Sequence, residues 1–314
     1  MKTQVNLAGI LMKNPVMTAS GTSGFGPEFD EYCPINKLGA FVPKSITLLP
    51  RQGNPCKEIA QRVCETNAGM INSIGLANPG LDYFLEEILP KYSQYQTPII
   101  MNISATNLDD FVKLTKKISN APNSNLISGL EINLSCPNDR QGKMVFSTDY
   151  NATYEVTKAV KQETDKPIIV KLTPNVTDIR KPAEAVYKAG GNALSMINTV
   201  RAMAINVEKR QPLIHGGGAY MGGLSGPAIK PIGVACVYQV YKSGNPLPIV
   251  GIGGIRTGSD AIEYIIAGAT AVGIGTASFP NPHACMDIIK GIEKYMEKNN
   301  IEDINNLRGN LIEP

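Results

Sequence analysis

The sequence predicts an α/β protein folded as a single (β/α)8 TIM barrel, with an N-terminal β-hairpin plug and long loops over the C-terminal face. Three observations carry that expectation. Eight short apolar runs recur along the 314 residues, amphipathic stretches of helical length lie between them, and turn residues mark the boundaries. Short apolar runs alternating with amphipathic helices are the pattern of repeated βα units on a parallel sheet. Eight such units close into a barrel. At about 150 residues per domain the length alone would suggest two domains. The eight units instead make residues 1–314 one domain. The excess over a minimal barrel's roughly 250 residues goes into loops and plug.

In chain order, the N-terminal residues alternate as QVNLAGILM, a hairpin expected to plug the end of the barrel opposite the loops. NPVMTAS (14–20) is the first strand, followed by a helical candidate over 27–38 that stops before Gly39. AFVPKSIT (40–47) is the second, with a helix over 81–95, and PIIMNIS (98–104) the third, with a helix over 108–119. SGLEINLSC (128–136) and PIIVKLT (167–173) follow, paired with helices over 149–164 and 179–190. ALSMINT (193–199), LPIVGIGG (247–254) and AVGIGTA (271–277) complete the ring, with helices over 226–242, 259–268 and 282–298. Gly190 and Gly268 stand where a helix-ending glycine belongs, and Ser259 with Asp260 offers a cap at the start of the seventh helix. Residues 48–78 and 200–226 are long connections. Loops of that length usually bind or cover something, and both leave strand C-termini, where barrel active sites lie.

Composition narrows the function. With 43% hydrophobic and 18% charged residues the chain is globular, neither disordered nor collagen-like. The net charge of +3 is scattered without basic runs, so nucleic-acid binding is not expected. There is no signal-peptide h-region and no run of 18 apolar residues, so a cytoplasmic protein without membrane contact is expected. The six cysteines are widely spaced with no C-x-x-C pair. No metal or iron-sulfur site in this chain and no disulfide framework are therefore expected.

The strand ends converge on one mouth, and their residues are polar and small. GIGGI (251–255) and GIGTA (273–277) end the last two strands. That is where barrels bind phosphate, glycine allowing backbone N–H groups close to its oxygens, although glycines also serve tight turns. Lys44 and Lys171 end apolar strands. Each either meets an anion, such as a carboxylate or the electron-rich edge of a reduced flavin, or reaches solvent along its stem. Asn72, Asn102, Asn133, Asn138 and Asn198 offer donors and acceptors without charge, suited to a pyrimidine ring if they share the mouth. Cys136, in NLSCPN, sits where a strand becomes a loop and could act as base or nucleophile. Cys33, Cys236 and Cys285 lie in helical candidates and read as buried thiols, and His215 and His283 lie away from strand ends.

The ordered motifs ASGTSGFG, PKSITLLPRQGNP, GMINSIGLANPG, NISATN, EINLSCPN, VKLTPN, MINT, GGLSGPAIKP, GIGGI and GIGTA span nearly the whole chain. Together they resemble class 1 dihydroorotate dehydrogenase. KSIT, MINT and GGLSGPAIKP are most similar to the type B catalytic subunit, which in that family pairs with an iron-sulfur flavoprotein subunit and uses NAD. The resemblance implies one FMN per chain, held by Ser20, Gly21, Lys44, Ser45, Asn102, Asn133, Lys171, Ile197, Gly226, Gly253, Gly254, Gly275 and Thr276. It implies that the pyrimidine meets Lys44, Asn72, Ser73, Ile74, Gly75, Leu76, Asn133, Asn198 and Thr199. Cys136 would be the base and Lys171 the cation stabilising the reduced flavin. FAD and a 2Fe-2S cluster would be carried only by the partner subunit, in a heterotetramer built on a homodimer.

The implied reaction is oxidation of (S)-dihydroorotate to orotate in de novo pyrimidine biosynthesis. A base removes the C5 proton while hydride leaves C6 for the flavin N5. The segment CKEIAQRVCET is a few residues longer than the family's usual PRVxET, and Cys56 and Cys64 in it have no assigned role. The alternatives are a fumarate-reducing type A enzyme, a dihydropyrimidine dehydrogenase, a flavin-free phosphosugar isomerase or aldolase barrel, and a non-catalytic barrel that binds a partner.

Overall fold

The computed structural model describes residues 1–55, 62–134, 146–214 and 220–312. Seven parallel strands form one sheet, in the spatial order Val16–Thr18, Ala271–Ile274, Ile249–Ile252, Ala193–Met196, Ile168–Lys171, Ile127–Asn133 and Ile99–Ile103. Almost every residue of these strands is buried, as in a parallel sheet covered on both faces.

The expected second strand closes the ring without becoming a regular strand. Ala40 bridges to Met17, while Phe41 and Ile46 bridge to Ile99 and Ile103. The Gly39 N–H donates to the Val16 carbonyl (2.8 Å), and the Ile46 N–H to that of Asn102 (3.0 Å). Between these contacts Pro43 has no N–H to give. The Thr18 hydroxyl takes over, accepting from the Val42 N–H (2.8 Å) and donating to the Val42 carbonyl (3.1 Å). A side chain thus replaces one rung of the ladder.

Six outer helices lie where the sequence places them: Leu108–Ser119, Tyr150–Gln162, Arg180–Lys188, Lys230–Lys242, Gly258–Ile266 and Ala284–Lys298. Two expected helices are irregular. Residues 27–38 form one helical turn (Pro27–Asp30) and one 3-10 turn (Ile35–Lys37), parted near Pro34. Cys33 lies between the two turns, buried but not helical. Residues 81–95 run as an α turn, a π stretch (Phe84–Ile88) and a 3-10 stretch (Leu89–Gln94). Pro90 accounts for the change, since it lacks an N–H and its ring collides with the carbonyl four residues back.

The cap of the Gly258–Ile266 helix also differs from expectation. Thr257, not Ser259, is the N-cap, and it forms a capping box with Asp260. Thr257→Ala is therefore expected to destabilise the fold by about 1 kcal/mol, read as a lower urea midpoint with an unchanged slope. Gly190 and Gly268 do adopt the positive φ (85° and 121°) that ends their helices.

At the N-terminal end, Val5–Leu7 and Ile10–Met12 pair as an antiparallel hairpin through Ala8 and Gly9, both at positive φ (53° and 92°). Positive φ at both positions is the two-residue turn that suits strand twist. Its buried residues are Val5, Leu7, Ile10 and Met12. The Ile10 Cδ1 lies 2.8 Å from where a Cβ on Gly129 would stand, at the N-terminal end of the Ile127–Asn133 strand. The hairpin thus sits at the end away from the loops.

The two long connections are joined. Val200–Ala202, Gly222–Ser225, Gly69–Asn72 and Val63–Thr66 form a four-stranded antiparallel sheet in that order. Gly69 and Gly226 have no room for a side chain, because a Cβ on Gly69 would overlap the Ser225 carbonyl. Among the described residues no helix is long and apolar enough to cross a membrane, and no His/Cys/Asp/Glu group could hold a metal.

Candidate active site

The register of the central strands puts the site's polar side chains on one face. Asn102 pairs with Glu131, Asn133 with Lys171, and Lys171 with Ser195. Residues paired across a parallel ladder point the same way, as do residues two apart on one strand. Asn102, Glu131, Asn133, Lys171 and Ser195 therefore share a face, and all are buried.

Their centre is Glu131, 1% exposed. It accepts hydrogen bonds from the Asn102 amide and from the Ser195 hydroxyl (2.6 Å). The Lys171 ammonium stands 3.8 Å from Oε2, the oxygen that Asn102 meets, and donates to the Ser20 hydroxyl at 3.3 Å. Lys171 is 4% exposed, so the solvent-reaching alternative does not hold for it. Sequence reasoning missed Glu131 and Ser195. The signal was available in EINLSC, where a carboxylate sits inside an apolar strand, two residues before Asn133 and hence on its face.

Lys44 is half-buried, and its backbone N–H is tied to the Gly24 carbonyl at 2.8 Å. Burial lowers its ammonium pKa, and the Arg62 cation lowers it further. Two cations that feel each other's charge suit an anionic ligand. Ser45 beside it is buried.

The glycine motifs come together from four connections. Gly253 and Gly254 have φ of 128° and 69°, a conformation glycine adopts freely. A Cβ on Gly254 would lie 2.8 Å from both the Gly226 carbonyl and the Lys230 N–H, so these backbones are in close contact. The Thr276 hydroxyl donates to that of Ser225 (2.8 Å), which brings the Gly275 turn alongside. Gly275 in turn faces Ala19, 3.4 Å from its Cβ position. The Tyr264 hydroxyl donates to the Gly253 carbonyl (2.8 Å) from behind. Lys230 bridges Asp260 (2.8 Å) and Glu263 (2.5 Å), joining the ends of two helices beside this cluster.

The Asn72–Leu76 segment is shaped by two further asparagines that sequence reasoning did not single out. Asn54 donates to the Ser73 hydroxyl (2.9 Å), while its own N–H meets the Ile74 carbonyl (2.9 Å). Asn78 donates to the Leu76 carbonyl (2.7 Å). Gly75 and Leu76 both have positive φ (77° and 55°). Asn72 itself donates to the Gly223 carbonyl (3.2 Å), linking the two long loops. Asn198 donates to Asn133 (3.4 Å) and accepts from the Thr199 N–H (2.8 Å), and the Met196–Ile197 peptide is cis.

Cys136 and Asn138 lie outside the described residues, as do His215 and Cys56. His283 caps the last outer helix, with its Nδ1 2.6 Å from the Tyr32 carbonyl. Three of the described thiols have raised pKa values, that of Cys64 through burial. Burial pushes Cys236 up to about 11, and the Cys33 thiol together with burial pushes Cys285 up as well.

The arrangement fits a bound FMN. The Asn102 Oδ1 is buried with no hydrogen-bond partner, an acceptor left for an N–H of a ligand ring. Nothing lies within 4 Å of a Cβ position on Gly21, so space is open above it. The glycine cluster can offer backbone to a phosphate, and Lys171 supplies a fixed cation.

The family model for Dihydroorotate dehydrogenase matches residues 2–296. The chain is 48% identical over 308 residues to "Dihydroorotate dehydrogenase B (NAD(+)), catalytic subunit" of Alkaliphilus metalliredigens, covering 98% of each chain. It is 50% identical over 311 residues to the protein of the same name from Caldicellulosiruptor saccharolyticus, covering 99% of each. Among solved structures, the dihydroorotate dehydrogenase of Eimeria tenella, crystallised with ferulenol, matches with a TM-score of 0.78 at 22% identity. That match covers 98% of this chain and 88% of the other, and at that identity it speaks for the barrel fold alone.

Proposed function

The chain belongs to the dihydroorotate dehydrogenase family, and from that premise we propose that it is the catalytic subunit of an NAD-linked type B enzyme. It oxidises (S)-dihydroorotate to orotate in pyrimidine biosynthesis, acting in the cytoplasm as one catalytic domain. The observation that carries this reading is the buried Lys171, set beside an Asn102 carbonyl with no protein partner. A cation next to an unused acceptor suits a ring that carries an N–H and gains negative charge on reduction.

FMN, when bound, supplies the acceptor for the hydride from C6. The chain's own residues do the rest. Gly226, Gly253, Gly254, Gly275 and Thr276 hold the phosphate end. Ser20, Gly21, Ser45, Asn102, Asn133, Lys171 and Ile197 hold the ring. Lys44 takes the substrate carboxylate. The Asn72–Leu76 segment, Asn133, Asn198 and Thr199 orient the pyrimidine, and the sheet made by the two long loops keeps water from it. Cys136 takes the C5 proton. A partner subunit carrying FAD and a 2Fe-2S cluster passes the electrons to NAD, in a heterotetramer built on a homodimer.

The purified chain is expected to be yellow, with flavin absorbance that dihydroorotate bleaches anaerobically as orotate forms. A colourless protein that binds no added FMN would overturn the flavoenzyme reading. Fumarate-dependent turnover of the isolated chain would overturn the type B assignment, whereas co-purification with an iron-sulfur flavoprotein supports it.

A further inference from the structure

We propose that Glu131 is a positioning residue for the flavin site, fixing from inside the barrel which way the Asn102 amide faces and how much of the Lys171 charge acts on the ring. The inference rests on the FMN reading above and goes beyond it, because Glu131 itself is not placed among the residues that touch the flavin.

The first part follows from hydrogen-bond chemistry. An ionised carboxylate can only accept, so the amide group that meets it must present its NH2. The Asn102 Nδ2 donates to Glu131. Its Oδ1 must then face away, and it is buried with no partner. The orientation is imposed by the neighbour's charge. A neutral glutamine at 131 can donate or accept, so it would accept either orientation of Asn102.

The second part is electrostatic. Glu131 has its Oε1 occupied by the Ser195 hydroxyl at 2.6 Å and its Oε2 by Asn102, with the Lys171 ammonium 3.8 Å away. The ammonium is thus paired through space with Glu131 while its hydrogen bond goes to Ser20. Opposite charges this close, both out of water, offset much of each other's field. Glu131 therefore moderates the cation offered to the ring. Removing its charge makes reduction of the flavin easier.

The test measures the FMN midpoint potential of the holoenzyme against a reference dye, and FMN affinity of the stripped protein by fluorescence. In Glu131→Gln the ratio of reduced to oxidised flavin at a fixed poise is expected to rise about tenfold, or ~30 mV for a two-electron couple, with FMN bound several-fold more weakly. Glu131→Asp keeps the charge and is expected to restore most of the native potential. Ser195→Ala removes only the hydroxyl that tempers the carboxylate, so the potential is expected to shift the other way. That variant decides the matter if Glu131→Gln does not fold. An unchanged potential in the folded variants overturns the role of Glu131 and leaves the FMN reading standing. A native protein that binds no FMN at all overturns that reading instead.

Discussion

Replacing Cys136 with alanine is expected to leave FMN bound and to slow dihydroorotate oxidation about 10²–10⁴-fold, the usual cost of losing a positioned general acid or base. Oxidation at C5–C6 requires a proton to leave C5 as hydride leaves C6, so a base must reach C5. In the sequence, Cys136 comes three residues after Asn133, the last residue of the strand that carries Glu131. The other described thiols are less suited, since Cys33 and Cys285 are buried and burial raises the pKa of Cys64 and Cys236. The base must be ionised, so kcat/KM of the native enzyme is expected to rise with pH as the thiol titrates, from a reference value of about 8.5. Cys136→Ser is expected to push that rise to higher pH, because a hydroxyl is the weaker acid. Turnover at the native rate by a flavin-loaded Cys136→Ala protein would remove Cys136 from the mechanism.

Much of this architecture can be read in the chain before any coordinates. PIIMNIS and LPIVGIGG are short, apolar and bounded by turn residues, so local sequence and tertiary structure agree there. The N-terminal hairpin is legible for the same reason, its Ala8–Gly9 turn separating two alternating segments. The failures have specific causes. AFVPKSIT has the composition of a strand, but its proline breaks the ladder and the Thr18 side chain fills the gap, a long-range contact that no local pattern reveals. The helix over 81–95 is periodic, yet Pro90 shifts its hydrogen bonding into π and 3-10 turns. Residues 63–72 and 200–225 pair across more than a hundred residues of chain, and their short strands carry little signal alone.

The candidate site shows the same division. Residues at strand ends, such as Lys171, Asn102 and Asn133, are found by reading the C-terminal ends of the strands together. Glu131 was overlooked because a carboxylate one turn of the pleat deeper is not at a strand end. Its importance appears only when the register sets Asn102, Lys171 and Ser195 around it. Asn54 and Asn78 lie in a loop, where asparagine ordinarily reads as a turn residue. Their task of holding the Ser73–Leu76 backbone depends on contacts about twenty residues apart or on the folded loop itself.

The buried ion pair leads to a second large effect. Lys171→Met is expected to lower folding stability by roughly 3–5 kcal/mol, because it leaves the Glu131 carboxylate buried without its counter-charge. Methionine nearly matches the lysine stem in volume, so little of that loss comes from a cavity. The pair has little net worth by itself, since desolvation of two charges offsets most of their attraction. The double variant Lys171→Met/Glu131→Gln is therefore expected to recover most of the stability in a urea titration. It is not expected to recover turnover. The cation proposed to meet negative charge on the reduced ring is still absent, and losing one such preorganised group costs about 10²–10³-fold in kcat. Folding and catalysis thus separate between the single and double variants. A Lys171→Met protein as stable as the native chain would mean that Glu131 does not depend on Lys171 as its partner, and the charge balance assigned to the centre of the barrel would be wrong.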